Sequence, residues 1–525
     1  MNLMKPPSGG PSPSGESSSW TRRFWVLLGA VVAVRLVYAA IFPLDLAPDE
    51  SYYWDWGRRL DYGYFSKPPM IGWLMGLAGR LGGNSEVGIK IFPVLLASGG
   101  LVFVFLLGRD LYGAKAGFWA VIVLLAAPAN AALNVFFTID APLFLFWSAS
   151  LWAAWRFMTS EGNQRLAWPF LLTLSLGLGY LTKQIQLVFP LLWVGFAAAA
   201  KRNGKPNRWG RILGVVGLSL VFLIPPLVWN WQHDWITFRH TADELETAPF
   251  RWRRSAKFVG EFLGGQAGLG GGILWILMMM AAVNALARWR NLGDRERYLL
   301  VFSIPGLVAF GALSFHQRVE QNWPLVFYPA VAILLAGWVW GGAGGDRWRG
   351  WFRGGVVLGA VLGVLLMAVP FVFPASQWAG LKVDPTARVR GWRHLAEQAA
   401  MVREAVPTPD RTFFLAPRDR YVASALAFYL PDQPRTFCWE DPAHPESQYG
   451  IWGRPLDRVG WDAIVLEENP ESPRVAEIAG LFGTWEARGE IVVPLGAENA
   501  RNRRYAVFLG RGFDPGKAAV EGGPE

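Results

Sequence analysis

Two adjacent carboxylates, Asp49 and Glu50, lie just past the end of the first long apolar run of the chain. They lie in the segment 47–74, which is rich in Tyr and Trp, residues that favour the depth of lipid head groups. A carboxylate can accept a proton from a reacting hydroxyl group. We therefore take Asp49 and Glu50 as candidate catalytic residues and Tyr52 and Tyr53 as candidate substrate contacts. The alternative is an ordinary interfacial loop with an aromatic belt.

A third carboxylate, Asp140, lies at the mouth of another apolar run, in the stretch NVFFTIDAPLFLFW. Ionisable groups at membrane depth are costly and usually functional. Asp140 is therefore a third candidate catalytic residue. The alternative is that it only caps the first turn of a helix, because Thr138 and Asp140 both suit a helix start.

Three cations are expected on the same side of the membrane. Lys67 precedes two prolines that stiffen the backbone, Lys183 lies in LTKQIQ, and Arg318 lies in FHQRVEQNWP. We take all three as candidate substrate-binding residues, and Arg35, inside the first apolar run, as an interfacial anchor. Carboxylates and cations at one depth suit an anionic, lipid-borne substrate that a hydroxyl group attacks. The chemistry implied is sugar transfer from a polyprenyl phosphate, which needs a base at the acceptor and positive charge at the departing phosphate.

Such a site requires a membrane scaffold, and the composition agrees. Of the 525 residues, 52% are hydrophobic and only 17% are charged, against about 25% charged in soluble chains. The single cysteine excludes a disulfide framework and a multi-cysteine metal site. We predict no cofactor and no metal site, although carboxylates at the membrane surface can hold a divalent ion.

Eleven membrane spans are predicted from runs near the roughly 20 residues that cross a bilayer. They are 24–43, 87–107, 116–133, 140–157, 166–182, 184–200, 212–230, 271–288, 298–314, 323–340 and 355–374. Lys and Arg concentrate in alternate connections, as in the segment 201–211. The positive-inside rule then places the N-terminus in the cytoplasm and the first outer loop, 44–86, outside the bacterial inner membrane. The net charge of +10 is thereby explained by topology, so no nucleic-acid partner is expected.

The last 150 residues change character. Candidate helices 391–405 and 420–429 alternate with candidate strands 411–416, 461–466, 490–495 and 504–509, which predicts a small α/β domain. We therefore divide the chain into a disordered cytoplasmic tail, 1–23, a transmembrane domain, 24–375, and a soluble extracytoplasmic domain, 376–525.

At these residues the sequence resembles the C-type integral-membrane glycosyltransferases of family 39, which include protein mannosyltransferases and lipid A aminoarabinose transferases. The resemblance rests on DE-x-YYW at 49–54, YF-x-KPP at 64–69, TIDAPLFLFW, NWPLVFYPA at 322–330 and ASALAFYLP at 423–431. It implies a C-type fold and an inverting transfer from a polyprenyl-phosphate sugar to a glycan, glycolipid or protein.

The resemblance also implies roles for single residues. Asp49 would be the base, with Glu50 supporting it, Lys67 would contact the lipid phosphate, and Asp140 would be the second acidic residue. The aminoarabinose transferases carry an Arg shortly after the acidic pair, where this chain is aromatic, so the sugar stays open. Two other functions are alternatives: a transporter or flippase for a lipid-linked sugar, and a non-catalytic membrane assembly protein.

Overall fold

The computed structural model describes residues 13–160, 166–199, 209–245, 251–341, 346–496 and 502–517. The first helix begins at Pro13, so the predicted disordered tail is helical from that residue onward. Residues 1–12 of that tail, and residues 201–208 of the predicted basic connection, lie outside the described ranges.

Helices make up most of the described chain. The α-helices are α1 Pro13–Ile41, α2 Pro48–Gly57, α3 Met70–Gly82, α4 Glu86–Tyr112, α5 Ala114–Ala126, α6 Pro128–Val135, α7 Asp140–Thr159, α8 Ala167–Tyr180, α9 Val188–Ala199, α10 Trp209–Leu220, α11 Ile224–Gln232, α12 Ile236–Glu244, α13 Trp252–Leu269, α14 Ile273–Ala287, α15 Asp294–Val301, α16 Ile304–Leu313, α17 Tyr328–Trp340, α18 Arg349–Val372, α19 Trp392–Glu404, α20 Arg420–Tyr429, α21 Gln448–Trp452 and α22 Pro473–Ala479. The strands are β1 Thr412–Ala416, β2 Phe437–Cys438, β3 Asp462–Glu467, β4 Thr484–Val493 and β5 Arg503–Arg511.

The chain forms two compact units. The first unit contains the described residues up to Ala40, together with Ile91–Pro225 and Glu244–Met367. The second unit contains Ile41–Lys90, Pro226–Asp243 and the described residues from Ala368 onward. The predicted outer loop 44–86 thus belongs to the same unit as the C-terminal sheet. The predicted domain boundaries stay predictions.

The first unit is an apolar helical bundle. Helices α5 and α14 pack against α17, and α8 packs against α7 and α10. Large aromatic residues such as Trp147, Trp193 and Tyr298 fill its core. Helix α18 leaves apolar side chains uncovered, with Val364 65% exposed. A helix that is apolar on its outer face suits lipid as its surroundings.

Six helices of the described chain are long and apolar enough to span a membrane, judged by length and composition, or seven if the bent pair α13–α14 forms one span. Three shorter apolar helices accompany them: Ala114–Ala126, Ala167–Tyr180 and Gln184–Ala198. The predicted span 116–133 is divided between α5 and α6, where Pro128 begins the second helix. The count of eleven spans therefore stays a prediction, while the membrane-spanning character of the chain is confirmed.

The second unit contains a mixed five-stranded sheet in the order β2-β1-β3-β5-β4. Strand β1 runs parallel to β2 and β3, and β5 runs antiparallel to β3 and β4. The predicted α/β character is confirmed, with two differences. Strand β4 begins at Thr484 and not at residue 490, and β2, only two residues long, was too short to predict from its pattern.

Candidate active site

The acidic pair lies in the first turn of α2, and the local sequence explains why a helix begins there. Pro48 occupies the first helical position, which needs no backbone N–H donor. Two residues later, the Glu50 side chain turns back and accepts a hydrogen bond at 2.9 Å from the Ala47 backbone N–H. Negative charge in this turn also complements the helix dipole. Asp49 is thereby fixed at the start of a rigid element.

Glu50 is completely buried and cannot reach a substrate in solvent. Lys90 is also buried, at 2% exposure, and its Nζ lies 3.4 Å from Glu50 Oε2. A buried charge is tolerated only when it is paired and hydrogen-bonded. Glu50 therefore lies in a buried ion pair, and the supporting role that the resemblance implies stays a prediction.

A second carboxylate of α2, Asp55, is engaged in the same way. It is fully buried, pairs with Arg58 at 2.8 Å, and accepts a hydrogen bond from the Tyr449 hydroxyl group at 2.7 Å. Burial, and then the neighbouring Asp55 carboxylate, raise the pKa of Tyr449, so its hydroxyl group stays protonated and donates. Asp55 ties α2 to α21.

Asp49 differs from both because it is only half-buried. The structure gives its side chain one hydrogen bond within the described residues, from the Tyr421 hydroxyl group to Oδ1 at 3.2 Å. Arg420 Nη2 donates to the oxygen of that hydroxyl group at 3.0 Å. Burial, and then the Asp49 carboxylate, raise the pKa of Tyr421. The Tyr421 hydroxyl group is therefore a neutral donor that holds the Asp49 side chain.

Tyr52 and Tyr53 are buried, at 2% and 7% exposure. The Tyr52 hydroxyl group accepts a hydrogen bond from the Gln448 backbone N–H at 2.6 Å, and its ring packs against Trp56. This burial suits packing of α2 more than contact with substrate, and a direct substrate role for either tyrosine stays a proposal.

Lys67 is half-buried in a turn that several distant residues fix. Its carbonyl oxygen accepts a hydrogen bond from the Tyr64 N–H at 3.2 Å. Gln448 Oε1 accepts the Phe65 N–H at 2.7 Å, and the Thr237 hydroxyl group donates to the Tyr64 carbonyl oxygen, also at 2.7 Å. The Lys67 backbone is therefore held firmly.

Asp140 and Lys183 belong to the first unit and form an ion pair. Lys183 Nζ lies 3.0 Å from Asp140 Oδ1, while Asn322 Nδ2 donates to Asp140 Oδ2 at 2.6 Å. Thr138 adds a longer hydrogen bond at 3.4 Å to Oδ2. The carboxylate thus joins the start of α7 to two distant connections. Because the ion pair is neutral, Lys183 attracts a phosphate less strongly than an unpaired cation would.

Arg318 is exposed on the connection between α16 and α17. Arg35 is only 8% exposed and donates to Asn130 Oδ1 at 2.6 Å. The interpretation of Arg35 as an interfacial anchor was therefore wrong, since Asn130 supplies a polar partner inside the first unit. The described residues contain no group of three or more His, Cys, Asp or Glu side chains placed to hold a metal ion.

The structure adds three residues that the sequence did not single out: Lys90, Asn322 and Tyr421. Lys90 had a signal, because it is an ionisable residue at the edge of the predicted span 87–107, the criterion that selected Asp140. Asn322 begins the stretch NWPLVFYPA, but no local pattern connects it to Asp140, and Tyr421 had no signal because its partner is distant in sequence. The predicted site residues fall into two groups: Asp49, Glu50, Tyr52, Tyr53 and Lys67 in the second unit, and Asp140, Lys183 and Arg318 in the first.

Sequence comparisons link the chain to known transferases. The family model described as dolichyl-phosphate-mannose-protein mannosyltransferase matches residues 66–229. A curated relative, lipid A galacturonosyltransferase RgtD of Rhizobium johnstonii, is 27% identical over 425 residues, which cover 79% of this chain and 84% of the relative.

Solved structures show the same fold. ArnT from Cupriavidus metallidurans in the apo state matches with a TM-score of 0.62 and 18% identity, covering 97% of this chain and all of that one. The structure of the same protein bound to undecaprenyl phosphate matches with a TM-score of 0.61, at the same identity and coverage. The predicted fold, a helical membrane protein of the C-type with a C-terminal sheet domain, is confirmed.

Proposed function

We propose that this chain is an inverting glycosyltransferase of the inner membrane, which moves a sugar from a polyprenyl-phosphate donor to an acceptor hydroxyl group on the extracytoplasmic face. The observation that carries the proposal is the difference among the carboxylates of α2. Glu50 and Asp55 are fully buried and paired with cations, whereas Asp49 is half-buried and held by a neutral phenol. Asp49 is therefore the carboxylate of α2 that can take up a proton.

The comparisons support this class of reaction. The matching family model is named for a transfer from dolichyl phosphate mannose, and the curated relative for a transfer to lipid A. The similar fold of ArnT has been solved with undecaprenyl phosphate. These relatives give no support to a transporter or flippase. Among glycan, glycolipid and protein acceptors, the curated relative favours a glycolipid.

The chemistry requires a single displacement. Asp49 removes the proton from the acceptor hydroxyl group, the oxygen attacks the anomeric carbon of the donor sugar, and the bond from that carbon to the phosphate oxygen breaks. The lipid phosphate leaves with the bonding electrons, and attack opposite the leaving group inverts the anomeric centre. Lys67, on its fixed turn, neutralises charge that develops on the phosphate.

The remaining candidate residues receive supporting roles. Asp140 acts as the second acidic residue, held in place by Lys183 and Asn322, and Arg318 offers an exposed positive charge to the anionic donor. Tyr52 and Tyr53 shape the surroundings of Asp49. The distribution of Lys and Arg supports an N-terminus in the cytoplasm and the second unit outside it.

The test compares the envelope glycans and glycolipids of a deletion strain by mass spectrometry after complementation with wild type or with Asp49→Asn. We expect one glycan to lack a single sugar mass, and only wild type to restore it. The missing mass and its carrier would then identify the sugar and the acceptor. Full restoration by Asp49→Asn, at equal protein level, would overturn the assignment of Asp49 as the base.

A further inference from the structure

A cavity of about 370 Å³ opens beside α20 in the second unit. It lies where β1, β2 and β3, the three parallel strands, end. Arg418 and Tyr421 follow β1, Glu440 follows β2, Glu467 is the last residue of β3, and Glu468 comes directly after it. In open α/β sheets this edge is the usual place for a ligand, and the volume falls within the range of small-molecule pockets, about 300–1,000 Å³. The proposed sugar transfer, with Asp49 as the base, does not by itself require this cavity.

Several lining groups are already occupied. Asp419 accepts the Tyr421 and Val422 backbone N–H groups, so the start of α20 is capped by a carboxylate and does not attract an anion. Glu440 accepts hydrogen bonds from the Glu446 and Ser447 backbone N–H groups. These contacts build the walls of the cavity.

The other groups that line the cavity include both hydrogen-bond donors and hydrogen-bond acceptors. Glu467 is half-buried and Glu468 is exposed, and burial raises the pKa of Glu467. The Tyr505 side chain is 1% exposed, and burial, and then the neighbouring Glu468 carboxylate to which its hydroxyl group is hydrogen-bonded, raise the pKa of Tyr505. Arg420 Nε is buried without a partner in the described chain.

This combination selects a class of ligand. Carboxylates outnumber guanidinium groups around the cavity, five to two. Because like charges repel, this excess disfavours binding of the lipid phosphate of the donor. The described carboxylates do not converge as a metal site would require. Hydrogen-bond acceptors lie beside hydrogen-bond donors in this cavity, and tyrosine rings form part of its wall. This arrangement suits a ligand whose groups both donate and accept hydrogen bonds, as hydroxyl groups do.

The cavity is also connected to the proposed base. Tyr421 lines it and donates its hydrogen bond to Asp49. We infer that this crevice binds the acceptor, and that the acceptor presents an uncharged saccharide with free hydroxyl groups there. The inference rests on the proposed function and narrows its acceptor to a glycan or glycolipid.

The experiment uses the full chain in nanodiscs. The donor is the polyprenyl-phosphate sugar extracted from membranes, and the acceptor is the glycolipid of the deletion strain. Glu467→Gln combined with Glu468→Gln should raise the acceptor KM about tenfold or more, as expected when hydrogen bonds to charged groups are lost, and leave the donor KM within about twofold. Tyr505→Phe, which removes only a hydroxyl group, should act in the same direction and covers the case in which the double variant fails to fold. Glu471→Gln, exposed just beyond β3 and outside the cavity, is the matched control.

Direct binding separates the remaining outcomes. The phosphate-free oligosaccharide released from that glycolipid should bind wild type in the absence of donor and bind both cavity variants more weakly. An unchanged acceptor KM in those variants would overturn the inference alone. Binding of inorganic phosphate or Mg²⁺ in place of the oligosaccharide, lost in the double variant, would also overturn it. If the proposed function is wrong, wild type will transfer no sugar at all, which distinguishes that outcome from a failure of this inference alone.

Discussion

The carboxylates of α2 and the carboxylate at the start of α7 are placed in opposite ways. In the second unit, Glu50 and Asp55 form ion pairs with Lys90 and Arg58. Asp49 is half-buried and accepts a hydrogen bond from the phenolic hydroxyl group of Tyr421. In the first unit, Asp140 itself binds Lys183 and Asn322. The proposed base is thus the carboxylate of α2 whose hydrogen bond comes from a neutral phenol, while its two neighbours form ion pairs. A carboxylate that binds its cation directly is better suited to holding segments together.

The largest effect should come from Asp49→Asn. The amide cannot accept the proton of the acceptor, so we expect transfer to fall about a hundredfold to ten-thousandfold, with the fold unchanged. Turnover of a labelled donor in nanodiscs checks this, and the thermal midpoint serves as the control for folding. Activity within tenfold of wild type would remove the distinction between Asp49 and its neighbours.

Lys90→Met should mainly reduce stability. It leaves Glu50 buried without its cation, which typically costs about 3–5 kcal/mol. The double variant Glu50→Gln with Lys90→Met should recover most of the loss, because no unpaired charge then remains. Thermal unfolding of Lys90→Met, of Glu50→Gln alone and of the double variant measures the coupling. Additive losses would show that the two groups do not act as a pair.

Asp140→Asn tests the other side of the comparison. The amide keeps the size of the side chain but leaves Lys183 without an anion, and we expect transfer to fall about tenfold to a hundredfold through lost positioning. Combining it with Lys183→Gln should restore part of the thermal stability. If Asp140→Asn alone retains wild-type kcat and stability, the ion pair does not position these segments.

Lys67→Ala should raise the donor KM about tenfold, because the turn that carries Lys67 is fixed and the charge at its tip is lost. Lys67→Arg keeps the charge and should lie between wild type and Ala. The measurement is the dependence of the rate on donor concentration. Equal KM values in all three proteins would exclude a role at the lipid phosphate.

Asp384 gives the smallest expected effect and shows a carboxylate with a structural role alone. Burial disfavours its charge, but hydrogen bonds from Thr386 and Gly380 and the Arg390 guanidinium group outweigh this and lower its pKa below 3.8. A lowered pKa contributes stability that is present above pH 3.8 and is lost as the pH falls through the lowered value. Asp384→Asn should therefore cost about 1–2 kcal/mol at pH 7 and progressively less below pH 3.8, without changing kcat. Chemical denaturation of both proteins at a series of pH values measures this difference.

The sequence predicted much of the fold because its signals are local. Apolar runs indicated the helices of the first unit, and alternating patterns indicated α19, α20, β1, β3 and β5 at nearly their observed bounds. It also indicated the carboxylates, since the DE pair lies just past the end of an apolar run. The sequence could not predict which residues contact these carboxylates. Tyr421 lies 372 residues from Asp49, and no local pattern connects two residues across such a distance.

That distance has a consequence for how the protein is made. The partners of α2 include Ser424, Tyr421, Gln448 and Tyr449, all of which leave the ribosome after the helices of the first unit. During most of synthesis the segment around Asp49 therefore lacks the residues that hold it. The proton transfer proposed for Asp49 therefore requires that the last part of the chain has folded. A truncated product would be a membrane protein without activity, and its unpaired loop would be a recognisable target for proteolysis.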